Sequence, residues 1–381
     1  MSRVAKPRKG TRITVLKRPL PFSFWPMYRT TRRYGLQSTV FALDPWTLIR
    51  SSIIRRCPEE SQSEALSSLE QAQDFYKAAT TAGVIASRPL LLYYCLMNLM
   101  KSYALTVKRQ ASFVRAGHGL KERLRESNKE LDDAYLLANK SKADGKPMLM
   151  LFDELLNTLS GAGLANDMEF DLPKLLPQIV PGHRLWAEAT NSNERFIAVH
   201  DIGFNEHAST KEIWLTMDIF ADDLTRLGVS QSRMLKEGRL AEKFRVVKTP
   251  LKQNGRKLIR LEQLKTRKYS QRASDKVPDL VGDIKPYLWT TVNSVPPYRR
   301  YYLYLAPVQE HAQVLPQLMS IYAITFYLGS ITRYRPHHFD TIVQGSLGHV
   351  IEEFVSGQPL QFIYLIASEF AEQEVTKPSI V

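Results

Sequence analysis

The feature that most constrains this chain is the segment PLLLYYCLMNLMKSYALTV, residues 89–107, in which apolar side chains cover nearly every side of a helix. Pro89 opens the segment, and proline suits the first turn of a helix. A helix that is apolar almost all round must be enclosed by other elements. Its polar residues Asn98 and Ser102 then need internal hydrogen-bond partners. We therefore expect a central, buried helix.

Apolar residues at helical spacing predict further helices on both sides of this segment. The predicted helices cover SEALSSLEQAQDFYKAA (63–79), LKERLRESNKELDDAYLLANK (120–140), PMLMLFDELLNTLS (147–160), a segment ending near 332, a segment from about 337 to 355, and LQFIYLIASEFAEQ (360–373). The uncharged stretch 312–332 is long enough to cross a bilayer. Its Gln, Pro, Ser and Thr residues favour a buried helix instead.

The region from about 183 to 305 changes to patterns that are typical of strands. They are found in RFIAVHDI (195–202), EIWLTMDI (212–219) and RRYYLYLAP (299–307). Asn254-Gly255, between two further β-like runs, predicts a tight hairpin. A basic loop, LKTRKYSQRASDK, occupies residues 264–276.

These patterns divide the chain into four zones. Residues 1–60 form a basic, largely irregular N-terminal arm, 61–182 are helical, 183–305 are β-rich, and 306–381 are helical again. The predicted fold class is α+β, mainly α. The order of elements indicates a helical core with an antiparallel β-rich insertion, or else two packed domains.

The net charge indicates the class of binding partner, and the cysteine content indicates the cellular compartment. The formal net charge is +14 and the pI is about 9.6. Such a basic excess favours polyanions: nucleic acid, an anionic membrane surface or an acidic protein. Cys57 and Cys95 stand in no paired spacing, which excludes a disulfide framework and a cysteine zinc site and fits a reducing cytoplasm.

Several common catalytic motifs are absent from the sequence. There is no phosphate-binding P-loop, no Gly-x-Ser-x-Gly elbow and no His-Glu-x-x-His motif. VPDLVGDIKPYL (277–288) contains the letters of a metal-dependent nuclease motif, but Asp279 and Asp283 are too close in sequence to lie on two strands of a hairpin. A turn is favoured there, and neither a metal nor a cofactor is expected.

The candidate site is SITRYRPHHFD, residues 330–340. Because Pro336 disfavours helical geometry at the residue before it, one helix should end near Tyr334 and the next should begin with Pro336. Arg333 would then lie close to His337 and His338. A guanidinium binds a phosphoryl oxygen, and a histidine can move the proton of a ribose 2′-OH. The alternative is a polar turn that caps and solvates two helix ends.

The periodicity of the predicted helix 337–355 also bears on the positions of His338 and His349. Val343, Leu347 and Ile351 fall on one face, whereas His338 and His349 fall on the opposite face. The pattern therefore predicts that His338 faces solvent, a cleft or a partner.

These residues also carry a family resemblance. Arg333 and His338 match the Arg-x4–6-His motif of the HEPN superfamily of helical domains, many of which are metal-independent ribonucleases. The blocks RPLLLYYCLMNLMKSYAL (88–105), GHGL (117–120) and YAITFYLGSITRYRPHHF (322–339) resemble the YaaC-like family of bacterial proteins. The resemblance implies that His338 is the base, that Arg333 stabilises the pentavalent phosphate, and that a dimer forms the site.

Three hypotheses follow. The first is a HEPN-type ribonuclease acting in anti-phage defence or as a toxin, with Arg333, His338 and His337 catalytic. The second is a non-catalytic binding subunit of a larger complex, and the third is a structural interaction protein. Nucleic acid, RNA rather than DNA, would be bound by further cations outside the catalytic set: Arg335, Lys265, Arg267, Lys268 and Arg272. We expect no membrane association.

Overall fold

The computed structural model describes residues 5–15, 17–26, 39–83, 85–125, 131–142, 148–248 and 252–379. The chain divides into two compact units. The β unit comprises the described residues within Met1–Phe41, Asn193–His311 and Glu372–Val381. The helical unit comprises those within Ala42–Ser192 and Ala312–Ala371.

The α-helices, in chain order, are α1 (Pro45–Arg56), α2 (Glu59–Thr81), α3 (Arg88–Thr106), α4 (Leu151–Ser160), α5 (Leu172–Leu175), α6 (His183–Ala189), α7 (Ala221–Arg226), α8 (Gln231–Glu237), α9 (Val277–Ile284), α10 (Gln317–Tyr334), α11 (Pro336–Gln344) and α12 (Gly348–Ala371). Short 3₁₀ turns lie at Ile85–Ser87, Leu131–Asp133, Leu176–Gln178, Ala273–Lys276, Lys285–Tyr287 and Val308–Gln313.

The strands are β1 (Thr11–Arg12), β2 (Thr14–Val15), β3 (Arg18–Pro19), β4 (Thr39–Phe41), β5 (Ala116–Gly117), β6 (Leu120–Leu124), β7 (Ala134–Ala138), β8 (Leu149–Met150), β9 (Met168–Asp171), β10 (Phe196–His207), β11 (Glu212–Phe220), β12 (Phe244–Val247), β13 (Lys252–Gln253), β14 (Arg256–Gln263), β15 (Arg267–Lys268), β16 (Leu288–Val292), β17 (Arg299–Tyr304) and β18 (Glu374–Thr376). Helices and antiparallel sheets together confirm the α+β class, with helix predominant.

Helix α3 is the centre of the helical unit. It packs against α1, α2, α4, α10 and α12, as its uniformly apolar surface predicted. Its two polar core residues find internal partners: the Ser102 hydroxyl donates to the carbonyl of Ala65 at 2.9 Å, and the Asn98 amide lies 3.4 Å from Gln71 Oε1. The prediction of a buried central helix is confirmed.

Helices α3 and α10 approach closely at Gly329. A Cβ at this position would lie 3.1 Å from both the carbonyl oxygen of Pro89 and the Cβ of Tyr93. Helix α10 is buried along most of its length, which confirms the prediction of a buried helix in the uncharged stretch. Among the described residues, no helix combines the length and the apolar character that a membrane span requires.

The prediction of a helix over residues 120–140 is wrong for the described residues, 120–125 and 131–140, which form two strands and a 3₁₀ turn. Strands β6 and β7 pair antiparallel, and β9 extends this small sheet beside β7. In β7 the burial alternates, with Ala134, Leu136 and Ala138 inside. Leucines four residues apart, such as Leu120 and Leu124, share a face in a strand as well as in a helix, so their spacing did not discriminate between the two.

The C-terminal helices also have other boundaries than predicted. The expected helix 337–355 is broken at residues 345–347, and α12 then runs without interruption through Pro359. The segment 337–355 therefore belongs to two helices, and a single helical periodicity does not describe it.

The β unit is built on one antiparallel sheet in the order β12-β14-β11-β10-β17-β16, to which β1, β13 and β15 add short pairings. The hairpin predicted at Asn254-Gly255 is confirmed: both residues have positive φ, +49° and +79°, and join β13 to β14. The apolar face of the sheet packs on α9 and on the helices and loops around Leu224, Met234 and Leu240.

Two smaller predictions need correction. Within the arm 1–60, residues 45–56 form helix α1, capped by the Asp44 side chain, which accepts from the amide of Trp46. Residues 277–284, expected as a turn, form helix α9, with Pro278 in its first turn. The arm prediction for residues 1–4, 16 and 27–38 lies outside the described residues.

Candidate functional site

The motif Arg333–His338 lies at the junction of α10 and α11. Helix α10 ends at Tyr334, Arg335 leaves helical geometry with φ −145° and ψ 61°, and Pro336 begins α11. The amide of His338 donates to the carbonyl of Arg335 at 2.9 Å, which closes the first turn of α11. This arrangement confirms the predicted helix–proline–helix junction.

Arg333 is exposed in the last turn of α10. Its guanidinium donates to the hydroxyl of Tyr94 at 3.2 Å and lies 4.9 Å from the ring centre of Tyr334. Among the described residues it has no carboxylate partner. A guanidinium that is held by a tyrosine hydroxyl and a tyrosine ring, and not by a carboxylate, keeps its charge available to an anion.

Close packing of α3 against α10 places Arg333 beside Tyr94. Gly329 lies one helical turn before Arg333, and the absence of a side chain there lets α10 approach Pro89 and Tyr93. Tyr93 packs edge-on against Phe326 of α10, with ring centres 5.1 Å apart. The position of the guanidinium therefore follows from the helix crossing.

His338 is buried, with only 1% of its surface exposed. Its Nε2 lies 2.9 Å from the hydroxyl of Tyr327, and the two groups share a hydrogen bond. Burial raises the pKa of Tyr327, so this phenol keeps its proton at neutral pH. The prediction that His338 faces outward is wrong, because the helix used for that prediction is broken after α11. His337, its neighbour, is exposed.

Arg335, assigned from the sequence to nucleic-acid binding, is half-buried and paired. Its guanidinium lies 3.3 Å from the carboxylate of Glu122 on strand β6. Arg333 and Arg335 thus differ, since only Arg335 has its charge offset by a neighbouring carboxylate.

A third histidine, His118, lies near Arg333. It lies between β5 and β6, and its Nδ1 is 2.7 Å from the hydroxyl of Tyr93. Partial burial lowers the pKa of His118, and the positive charges of Lys101 and Arg333 lower it further. The imidazole is therefore neutral at pH 7, although it is open to solvent.

The backbone around His118 is held firmly in place. The carbonyl of His118 accepts from the amide of Phe152 at 3.2 Å, and the carbonyl of Gly119 accepts from Asn139 at 2.8 Å. Gly119 has φ +75°, and a Cβ there would lie 3.0 Å from the Cβ of Met150. Only glycine adopts this geometry without strain, so Gly119 and these hydrogen bonds fix the backbone that carries His118.

The sequence model of the YaaC-like protein family matches residues 38–370. The chain belongs to the YaaC-like family. Neither a curated protein nor a solved structure gives a significant match. The matched region of this YaaC-like chain contains Tyr93, Tyr94, His118 and Arg333.

Residue-by-residue reasoning did not select Tyr93, Tyr94, Lys101 or His118 as site residues. The sequence did contain an indication of Tyr93 and His118, since the blocks around them are two of the three that carry the YaaC-like resemblance. What the sequence does not contain is the contact between them, which joins α3 to a turn some 25 positions away.

The other predicted nucleic-acid residues of this YaaC-like protein lie in the β unit. Lys265, Lys268 and Arg272 are exposed. Arg267 lies in β15, and its guanidinium binds the carboxylate of Asp283 at 2.6 and 2.8 Å. Among the described residues, no carboxylate forms an ion pair with Lys265, Lys268 or Arg272, whereas Arg267 is paired with Asp283.

No metal site is found in the described part of the YaaC-like chain, where no three His, Cys, Asp or Glu side chains cluster suitably. The carboxylates of Asp279 and Asp283, in the segment 277–288 that resembles a nuclease motif, form ion pairs instead. Asp279 lies 3.3 Å from Lys276, and Asp283 binds Arg267. Both lie on the short helix α9, and ion pairing accounts for them.

Proposed function

We propose that this YaaC-like protein is a metal-independent endoribonuclease of the HEPN type, with Arg333 binding the phosphate at which RNA is cut. The observation that carries the proposal is the exposed Arg333 guanidinium, which contacts the hydroxyl of Tyr94 and the ring of Tyr334. The net charge of +14 supports a polyanionic substrate.

The chemistry of such a site needs one cation and one imidazole. The imidazole takes the proton of the ribose 2′-OH, whose oxygen bonds to the adjacent phosphorus. The bond from phosphorus to the 5′ oxygen breaks, and this oxygen takes up a proton. The products are a 2′,3′-cyclic phosphate and a 5′-hydroxyl. Arg333 would stabilise the negative charge that accumulates on the phosphoryl oxygens.

In the family motif the imidazole would be His338. The burial of His338 and its bond to Tyr327 mean that α11 would have to shift before this residue reached RNA. His337, in the same turn, is already exposed. A site shared between two copies, as in HEPN dimers, is part of the proposal and is tested by the mass of the protein in light scattering.

The test is RNA cleavage in the presence of EDTA, with detection of 2′,3′-cyclic phosphate ends. Arg333→Ala should lower the cleavage rate by about 10²–10³-fold. Arg55→Ala, which removes the same charge from an exposed position of helix α1, is the matched control and should cleave normally. A role in defence or as a toxin predicts growth arrest on expression of the wild type but not of Arg333→Ala. Cleavage that survives Arg333→Ala would refute the proposal.

A second candidate function is non-catalytic binding of nucleic acid within a larger complex. The burial of His338 favours this candidate, because it removes the motif histidine from the surface. Binding with a steep salt dependence, and without cleavage products, would distinguish it from the ribonuclease. Substitution of the exposed cations Lys265, Lys268 and Arg272 should then reduce the salt slope.

A further inference from the structure

We propose that His118, oriented by Tyr93, supplies the imidazole that acts with Arg333. This inference rests on the proposed ribonuclease function and assigns its base to a residue outside the Arg-x4-His motif. Tyr93 would be a positioning residue, and His338 would be a structural one.

The two residues are brought together by two adjacent tyrosines of α3. The hydroxyl of Tyr94 accepts from Arg333 at 3.2 Å, and that of Tyr93 lies 2.7 Å from Nδ1 of His118. The two tyrosine rings are 5.4 Å apart between centres. The guanidinium and the imidazole are thus each bonded to one of two consecutive tyrosines of α3, and the charge of Arg333 acts on His118. Both side chains are exposed.

Charge around the imidazole suits a base that works beside a phosphate. Among the described residues, the charges that act on His118 are those of Lys101 from α3 and Arg333 from α10, and both favour its neutral form. A neutral histidine has a lone pair to offer at pH 7, whereas an imidazolium does not. The same two cations attract the phosphodiester that the base would act upon.

The assignment requires one tautomer of His118. Nδ1 must carry the proton and donate it to the hydroxyl oxygen of Tyr93, which leaves the lone pair of Nε2 facing solvent. Burial raises the pKa of Tyr93, so the phenol stays neutral and can accept this bond. Nε2 then takes the proton of the 2′-OH, O2′ bonds to phosphorus, the bond to O5′ breaks, and O5′ takes a proton from water. The imidazolium returns its proton to water.

The first experiment compares three variants in the full-length protein. His118→Gln should lower the cleavage rate by about 10²–10⁴-fold while leaving the affinity for a 2′-deoxy-substituted, uncleavable RNA unchanged. His349→Gln, which changes another exposed histidine of the helical unit, should have no effect. His118→Ala should regain part of its activity when imidazole is added to the buffer.

The second experiment reads the tautomer by ¹⁵N chemical shifts of the His118 ring. In the wild type the Nδ1–H form should predominate. In Tyr93→Phe the Nε2–H form should increase, and the cleavage rate at saturating RNA should fall without loss of RNA affinity. Loss of packing alone would not change the tautomer.

The outcomes separate the inference from the function on which it rests. If the wild type cleaves RNA and His118→Gln cleaves equally well, the inference is overturned and the ribonuclease stands. An Nε2–H tautomer in the wild type also overturns it, since the lone pair is then on Nδ1, where it accepts from the Tyr93 hydroxyl. If the wild type does not cleave RNA, the proposed function and the inference both fail.

Discussion

At the scale of the residue, two histidines of the helical unit are each bound by a tyrosine, with opposite results. Tyr93 binds Nδ1 of His118 and leaves the rest of the ring at the surface, whereas Tyr327 binds Nε2 of a fully enclosed His338. A Tyr–His hydrogen bond therefore leaves the imidazole accessible at His118 and is part of the core at His338.

His338→Ala should destabilise the protein by about 2–4 kcal/mol, because it leaves a cavity and removes the partner of the buried Tyr327 hydroxyl. His337→Ala, one position earlier and exposed, should change stability by less than about 0.5 kcal/mol. Urea unfolding followed by circular dichroism measures both. Equal stability of the two variants would show that the Tyr327–His338 contact contributes nothing.

The lowered pKa of His118 predicts a pH dependence of stability. Because the folded value lies below that of the unfolded chain, the stabilisation is complete above the unfolded pKa of about 6.5 and is lost as pH falls through the folded pKa. Between pH 8 and 5 the free energy of unfolding should fall more in the wild type than in His118→Gln. Parallel curves for the two proteins would contradict a lowered pKa.

Some single residues could be placed from the sequence and others could not. Arg333 at a helix end and Pro336 at a helix start follow from local backbone preferences, which the sequence contains. The burial of His338 and the bond from Tyr93 to His118 depend on which helices meet, and no local pattern specifies that.

At the scale of the element, the crossing of α3 and α10 positions the candidate site. It depends on Gly329, where a Cβ would already lie 3.1 Å from two atoms of α3. Arg333 follows one turn later, so a displacement of α10 would also move the guanidinium away from Tyr94.

Gly329→Val should therefore destabilise the helical unit by about 1–3 kcal/mol through overpacking and weaken RNA binding with it. Gly282→Val is a matched control, since Gly282 lies in helix α9 and a Cβ added there would have no neighbouring atom within 4 Å. That control should be neutral or slightly stabilising, as valine favours a helix more than glycine does. Urea midpoints of the two variants measure the difference.

Helices and strands were predicted correctly where the spacing of apolar residues fits only one of the two geometries. Helices α2, α3, α4 and α10 and strands β10, β11 and β17 all follow from the sequence pattern. Strands β6 and β7 were missed because spacing by four fits two geometries. The start of α12 was missed because Pro359 is tolerated inside that helix, whereas proline usually marks a boundary.

At the scale of the whole molecule, the β unit is assembled from three separate parts of the chain. Strand β18 near the C-terminus pairs in parallel with β4 near the N-terminus. The buried Arg299 of β17 donates to the carbonyl of Val375 at 2.7 Å, and the hydroxyl of Tyr301 donates to Glu374. The last residues therefore complete the β unit.

A chain that ends at Ala371 should lose at least about 1–3 kcal/mol of stability in the β unit, because Arg299 and Tyr301 lose these buried partners. Hydrogen exchange should accelerate in β16 and β17 and stay slow in α3 and α10. A chain that ends at Lys377 keeps β18 and is the control. Uniform acceleration in both units would show that they unfold as one.

The helical unit is divided in a way that matters during protein synthesis. About 210 residues separate the end of α3 at Thr106 from the start of α10 at Gln317. At roughly 5–20 residues per second, the ribosome needs on the order of 10–40 s to cross that interval. For all that time the apolar surface of α3 lacks the helix that later covers it, and we expect chaperones that bind apolar segments to bind the nascent chain.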